Sequence, residues 1–113
     1  MDNRIQTWLF DILNSIEEIE TFLGDKPRNF FEYQNDKKTK RAVERNIEII
    51  GEAVNRILKE NPTIVINNAR NIVGTRNRII HSYDSISDTL IWSIITVHLP
   101  KLKEEVKQLL AKI

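Results

Sequence analysis

From Asp2 to Leu23 the apolar residues Ile5, Trp8, Leu9, Ile12, Ile16, Ile19, Phe22 and Leu23 follow one another at three- and four-residue steps, the period of a helix with one buried face. Similar spacing returns in Val43, Ile47, Ile50, Val54 and Ile57, and again in Leu90, Ile91, Ile94, Val97, Leu102, Val106, Leu109 and Leu110. No stretch alternates apolar and polar residues as a half-buried strand does. Three glycines and three prolines in 113 residues leave little material for turns, so the helices must be long. The chain is predicted to be all-α. Its expected architecture is an up-and-down helical bundle, four main helices with one short extra element, forming a single domain over residues 1–113.

The punctuation sets the boundaries. Asp2 can cap the first helix and Gly24 can end it. Asp25-Lys26-Pro27 reads as a connector, and Arg28 to Asn35 as one extra helical turn. A second long helix is expected from Asp36 to Glu60, stopped by Asn61-Pro62. Gly51, in its middle, costs roughly 1 kcal/mol of propensity and implies a neighbouring helix close by. Arg41, Glu44, Arg45, Glu48 and Glu52 read as its solvated face, with Arg45–Glu48 as an opposed pair. A third helix is expected from Asn67 or Asn68 to His81. Asp84 to Ser87 reads as a turn, with Ser85 and Asp88 at capping-box spacing. The last helix is expected from Ser87 to Lys112, kinked at Pro100.

Charge and composition narrow the chemistry. Net charge is +1, so any contact with nucleic acid must come from a local patch rather than a global field. The chain has no cysteine, which removes disulfides, thiolate metal sites and thiol nucleophiles, and suits a reducing cytoplasm. The first residues, Met1-Asp2-Asn3-Arg4, lack a signal peptide's apolar run. The longest apolar stretch, Leu90 to Leu99, is about half a membrane span. A soluble, cytoplasmic protein with no membrane segment is expected.

The third helix carries the anomaly. On a wheel advancing about 100° per residue, Ala69, Ile72, Val73, Ile79, Ile80 and Tyr83 all fall within about 60° of Arg76. Arginine is almost never buried unpaired, so Arg76 must meet a carboxylate, a partner subunit or an anionic ligand. Asn77 and His81 flank the stripe four residues apart, and Tyr83 follows within one turn. Arginine, imidazole and phenol at one helix end suit a phosphodiester. The guanidinium can hold a nonbridging oxygen with two hydrogen bonds. The imidazole can move a ribose 2′-hydroxyl proton. That chemistry needs no metal and no cofactor. On spacing alone the bland reading stays open: Arg76 paired to a glutamate in the core, His81 a helix-terminal histidine, Tyr83 a packing residue. A lone monomer with Arg76 neutralised by an internal acid counts against the nuclease reading.

The run Arg76-Asn77-Arg78-Ile79-Ile80-His81-Ser82-Tyr83 resembles the motif of arginine, four residues, histidine, any residue and tyrosine in the HepT branch of the HEPN superfamily. The resemblance extends over most of the chain. Arg45-Asn46-Ile47-Glu48-Ile49-Ile50-Gly51-Glu52-Ala53 is similar to the family's second-helix motif, Gly74-Thr75-Arg76-Asn77 to its approach to the active site, and Ile91-Trp92 with Leu99-Pro100-Lys101-Leu102 to its last helix. The resemblance implies a toxin of a toxin–antitoxin pair, acting as a metal-independent endoribonuclease on RNA. It further implies a homodimer in which two motif copies face each other across a cleft. The implied antitoxin is a minimal nucleotidyltransferase, MntA, which silences the toxin by adding AMP to the motif tyrosine, here Tyr83. Ser82 stands where the family often has glycine.

On this reading Arg76 and His81 are catalytic, Asn77 and Tyr83 support them, and Arg78 is either an RNA contact or simply solvated. A non-catalytic HEPN module that binds nucleotide or only an antitoxin, and a plain helical interaction protein, are the alternatives. His98 reads as structural, and Trp8 and Trp92 as core or dimer contacts. Phe30, Phe31 and Tyr33 read as a plug at one end of the bundle. The basic run Lys37, Lys38, Lys40 and Arg41 reads as a solvated helix start.

Overall fold

A computed structural model describes residues 2–25, 29–81 and 87–112. Among them every regular element is helical, as the periodicity predicts. Helix α1 spans Asn3–Leu23. Asp2 caps it by accepting a hydrogen bond from the Arg4 amide, which also holds the Asp2 carboxyl below its ordinary pKa. Gly24 ends α1 at φ 73° and donates its amide to the carbonyls of Glu20 and Thr21, a turn that a side chain would strain.

The extra turn exists as α2, Phe30–Asn35, capped by the Asn29 side chain accepting from the Glu32 amide at 3.1 Å. Asp36 both ends α2 and caps α3, Lys37–Glu60, accepting from the Thr39 amide at 3.1 Å. Helix α4 spans Ala69–His81. The predicted last helix is divided into α5, Asp88–Ser93, a π-helical turn at Ile94–His98, and α6, Leu99–Ala111. Ser87 caps α5 by accepting from the Leu90 amide at 3.0 Å. The expected capping residue Ser85 lies outside the described residues.

The expected disturbance at Pro100 takes the form of that π turn. Proline has no amide to give the Thr96 carbonyl, and its ring crowds that carbonyl. The turn widens instead, and the Leu99 amide reaches back five residues to Ile94.

Helix α3 is the spine of the bundle, packed against α1 and α4, while α6 packs on α1. Its stripe Val43, Ile47, Ile50, Val54 and Ile57 is wholly buried, each side chain worth about 1.5–3 kcal/mol of burial. Ile5, Leu9, Ile12, Ile16 and Ile19 of α1 face it, and Leu99, Leu102 and Val106 of α6 complete the core. Two residues counted in the apolar stripes point outward. Phe22 lies about 100° from the direction shared by Ile5 to Ile19, and it is exposed. Val97, 45% exposed, lies in the π turn, and Ile95 is buried in its stead. No described helix is long and apolar enough to cross a membrane.

Candidate functional site

Helix α4 is anchored to α6 at its start. Before its first turn, the Asn67 amide donates to Glu105 Oε2 of α6 at 2.9 Å. Ala69, Ile72, Thr75 and Ile79 then face inward, and the buried Thr75 hydroxyl is satisfied by donating to the Asn71 carbonyl at 2.8 Å. Opposite this face lies Gly51 of α3. A Cβ there would overlap Arg76 Cβ, and would sit 2.8 Å from Arg76 Cγ and 3.3 Å from the Ile72 carbonyl. The mid-helix glycine thus lets α4 approach at the root of the Arg76 side chain, the close contact its position implied.

Arg76 finds its carboxylate within the chain. Its Nη2 lies 2.6 Å from Glu52 Oε2, and its Nη1 donates to Asn77 Oδ1 at 2.8 Å. The side chain remains 23% exposed, and Nε is buried without a partner. Glu52 is shared, since its Oε1 also accepts from Arg56 Nε at 2.9 Å. Two guanidinium groups therefore meet one carboxylate. Together with Trp8, Asp11, Arg45, Glu48 and Ile80, these residues line an open cavity of about 290 Å³. Its charges balance, three carboxylates against three arginines. Arg45 is itself paired to Glu48 at 3.0 Å, the opposed pair expected from their spacing. The supposed solvated face of α3 is thus partly the wall of a cavity.

His81 is exposed at the end of α4. It does not line the Arg76 cavity, and among the described residues no hydrogen bond or ion pair joins the two side chains. Within one chain, Arg76 and His81 share a helix but point about 140° apart on it. Asn77 touches Arg76 and so has the positioning geometry expected of it. Arg78 is exposed and lines a second groove on another face of α4. Tyr83, the expected supporting and modified residue, lies outside the described residues, as does Ser82.

Glu52 is the residue that sequence reasoning missed as part of the site. In sequence it reads as surface charge, although its place beside the mid-helix Gly51 is a signal that could have found it. Trp8, expected in the core or at a dimer contact, is half-buried in the Arg76 cavity. His98 lines the second groove with its Nδ1 buried and unpaired. Of the aromatic cluster, Tyr33 is buried and packs tilted against Trp92 with ring centroids 5.3 Å apart, and Phe30 meets Trp92 edge-on at 5.9 Å. Phe31 is 72% exposed. In the basic run Lys40 alone is ion-paired among the described residues, to Asp88 at 3.0 Å. Among the described residues no three His, Asp or Glu side chains converge as a metal-ligand set.

Comparison with known proteins gives a consistent answer. The family model for Ribonuclease HepT-like proteins matches residues 12–109. A protein of Methanocaldococcus jannaschii assigned as an RNase is 36% identical over 91% of this chain and 94% of its own length. A second RNase-assigned protein of that organism is 32% identical over 96% of this chain and 89% of its own. A protein of Thermococcus cleftensis assigned as a ribonuclease HepT is 33% identical over 90% of this chain and 92% of its own. No solved structure gives a significant match.

Proposed function

Because the chain belongs to the HepT-like ribonuclease family, we propose that it is a metal-independent endoribonuclease, the toxin of a cytoplasmic toxin–antitoxin pair. His81 takes the proton of a ribose 2′-hydroxyl as general base, and the oxygen attacks the adjacent phosphorus. The bond to the 5′-oxygen breaks, that oxygen takes up a proton, and the products end in a 2′,3′-cyclic phosphate and a 5′-hydroxyl. Arg76 stabilises the charge that develops on the phosphorus-bound oxygens, and Asn77 and Glu52 hold its guanidinium. Tyr83 orients the RNA and is the control point, silenced when a minimal nucleotidyltransferase antitoxin adds AMP, since the added negative charge repels the strand.

The observation that carries this reading is the pair Arg76 and His81 on α4 within a chain matched by its family model over residues 12–109. The homodimer rests on two features. Arg76 and His81 point about 140° apart on α4, so a second copy would supply an Arg76 to face His81. Ile80, beside Arg76 in the cavity wall, is 44% exposed, which leaves the apolar stripe of α4 partly uncovered. The Arg76–Glu52 pair favours a second reading, in which Arg76 is only structural.

Incubation with end-labelled single-stranded RNA in excess EDTA separates the two. Cleavage to cyclic-phosphate ends is expected, with His81→Ala and Arg76→Ala each reducing the rate by at least about 100-fold while circular dichroism keeps its helical signature. Tight binding without cleavage by the unmodified protein points to a non-catalytic module. If Arg76→Ala unfolds the chain rather than silencing it, the guanidinium is structural.

A further inference from the structure

The cavity beside Arg76 is electrically balanced, but the second groove is not. About 320 Å³ in volume, it lies between α4 and the segment formed by α5 and the π turn, with Arg70 and Arg78 on one side and Ser93 and His98 on the other. Among the described residues no carboxylate lines it. Among the described residues neither Arg70 nor Arg78 has an ion-pair partner, and both are exposed. In a chain of net charge +1, this is a local positive site of the kind a polyanion requires.

Its floor is shaped for a backbone. Gly74 stands one turn from each arginine, and a Cβ at Gly74 would meet nothing within 4 Å. This glycine serves neither close helix packing nor an unusual φ. It leaves a gap between the two guanidinium groups where a side chain would otherwise stand. On a helical wheel Arg70, Gly74, Asn77, Arg78 and His81 fall within about 60° of one direction, and Arg76 points nearly the opposite way. The line from Arg70 to Arg78 rises about 12 Å, and His81 follows about 4.5 Å further on. Phosphates in a stacked strand advance about 3.4 Å each, so the line has room for about three or four.

We propose that this groove is a phosphate track for single-stranded RNA, in which Arg70 and Arg78 grip the backbone flanking the cleavage point and feed it to His81. The inference rests on the ribonuclease reading and adds to it a second, non-catalytic anion site, with Arg70, Gly74 and His98 as its new members. It also explains how a chain whose Arg76 cavity carries no net charge could attract RNA.

The test uses the full-length His81→Ala protein, which holds RNA without cutting it, and a fluorescein-labelled twelve-nucleotide oligouridylate followed by anisotropy across a salt series. Arg70→Gln with Arg78→Gln is expected to weaken binding at least about 10-fold. The slope of log affinity against log salt should become shallower by about 1.4, since each phosphate that a cation no longer neutralises on a single strand takes away roughly 0.7. Gly74→Glu fills the gap on an exposed helix face and improves helix propensity, so it should weaken binding similarly without loss of thermal stability. Lys59→Gln with Lys107→Gln removes the same charge from exposed positions on α3 and α6 and should leave most of the slope intact. Equal losses in the lysine and arginine pairs, or an unchanged slope in the arginine pair, overturn the track. If the protein with His81 intact still cleaves RNA in that case, the ribonuclease reading survives. If it neither cleaves nor binds RNA, both fall together.

Discussion

Glu52 holds Arg76 at 2.6 Å while also serving Arg56, so this one carboxylate decides where two guanidinium groups point. Glu52→Gln keeps the shape but removes the charge, leaving Arg76 partly buried beside a neutral amide. Because the pair is partly solvated, the expected stability loss is about 1 kcal/mol, well below the 3–5 kcal/mol of a fully buried broken pair. Cleavage should fall more than stability does, as kcat rather than KM, since Arg76 acts on charge present only in the transition state. Tyr33 offers the opposite case. Its hydroxyl is buried without a partner among the described residues, and burial, with the Glu44 and Asp88 carboxylates adding to it, pushes the phenol well above its ordinary range. Burial likewise raises Glu44. Tyr33→Phe removes an unsatisfied group, so it is expected to raise stability by up to about 1 kcal/mol, measured by urea unfolding. The phenol ionises near 10 in the unfolded chain and only above that when folded. Its contribution is therefore whole below about pH 10 and is lost as pH climbs toward the raised value. Tyr33→Phe should lack that alkaline loss.

At the level of elements, the contact of α3 with α4 is the one on which the site depends. Gly51 permits it, and a methyl group there would overlap Arg76 Cβ. That atom lies at the root of its side chain and cannot swing away, so α4 itself must shift. Gly51→Ala should therefore destabilise by about 1–3 kcal/mol, as overpacking does, despite alanine's better helix propensity. It should also lower RNA cleavage by displacing Arg76. A rise in melting temperature with full activity would refute that geometry. Much of this level was legible beforehand, because each boundary had a local chemical cause. Asp2 caps one helix, Gly24 ends it, and Gly51 signalled a close neighbour, while Asp36 and Ser87, where helices were expected to begin, prove to be their caps. The π turn was not legible in form. Pro100 announces a disturbance, but whether a helix kinks, breaks or widens depends on what its flanking turns pack against, here the buried Ile94, Ile95 and Leu99.

For the whole molecule, extents of 41 × 31 × 19 Å describe a flattened bundle, and its long axis is close to the roughly 36 Å length of a 24-residue helix such as α3. The proposed active form is larger. Sedimentation equilibrium should give twice the 13.3 kDa of one chain, and specific activity should fall on dilution over the same concentrations at which the mass halves. A monomer that cleaves RNA at full rate would remove the need for a second His81 or Arg76.

Local sequence by itself determined the helices, their caps and most of the core, because a three-to-four-residue apolar period and a capping side chain act within a turn or two of themselves. It also singled out Arg76 as a charge on an apolar stripe that had to be answered. What answers it was decided only in three dimensions. Glu52 lies on another helix, and only the packing that Gly51 permits brings it to 2.6 Å from Arg76. Tertiary structure likewise brought Arg70 and Arg78 opposite His98 across one groove. Charges compensate one another through space, and sequence distance carries no record of which of them will meet.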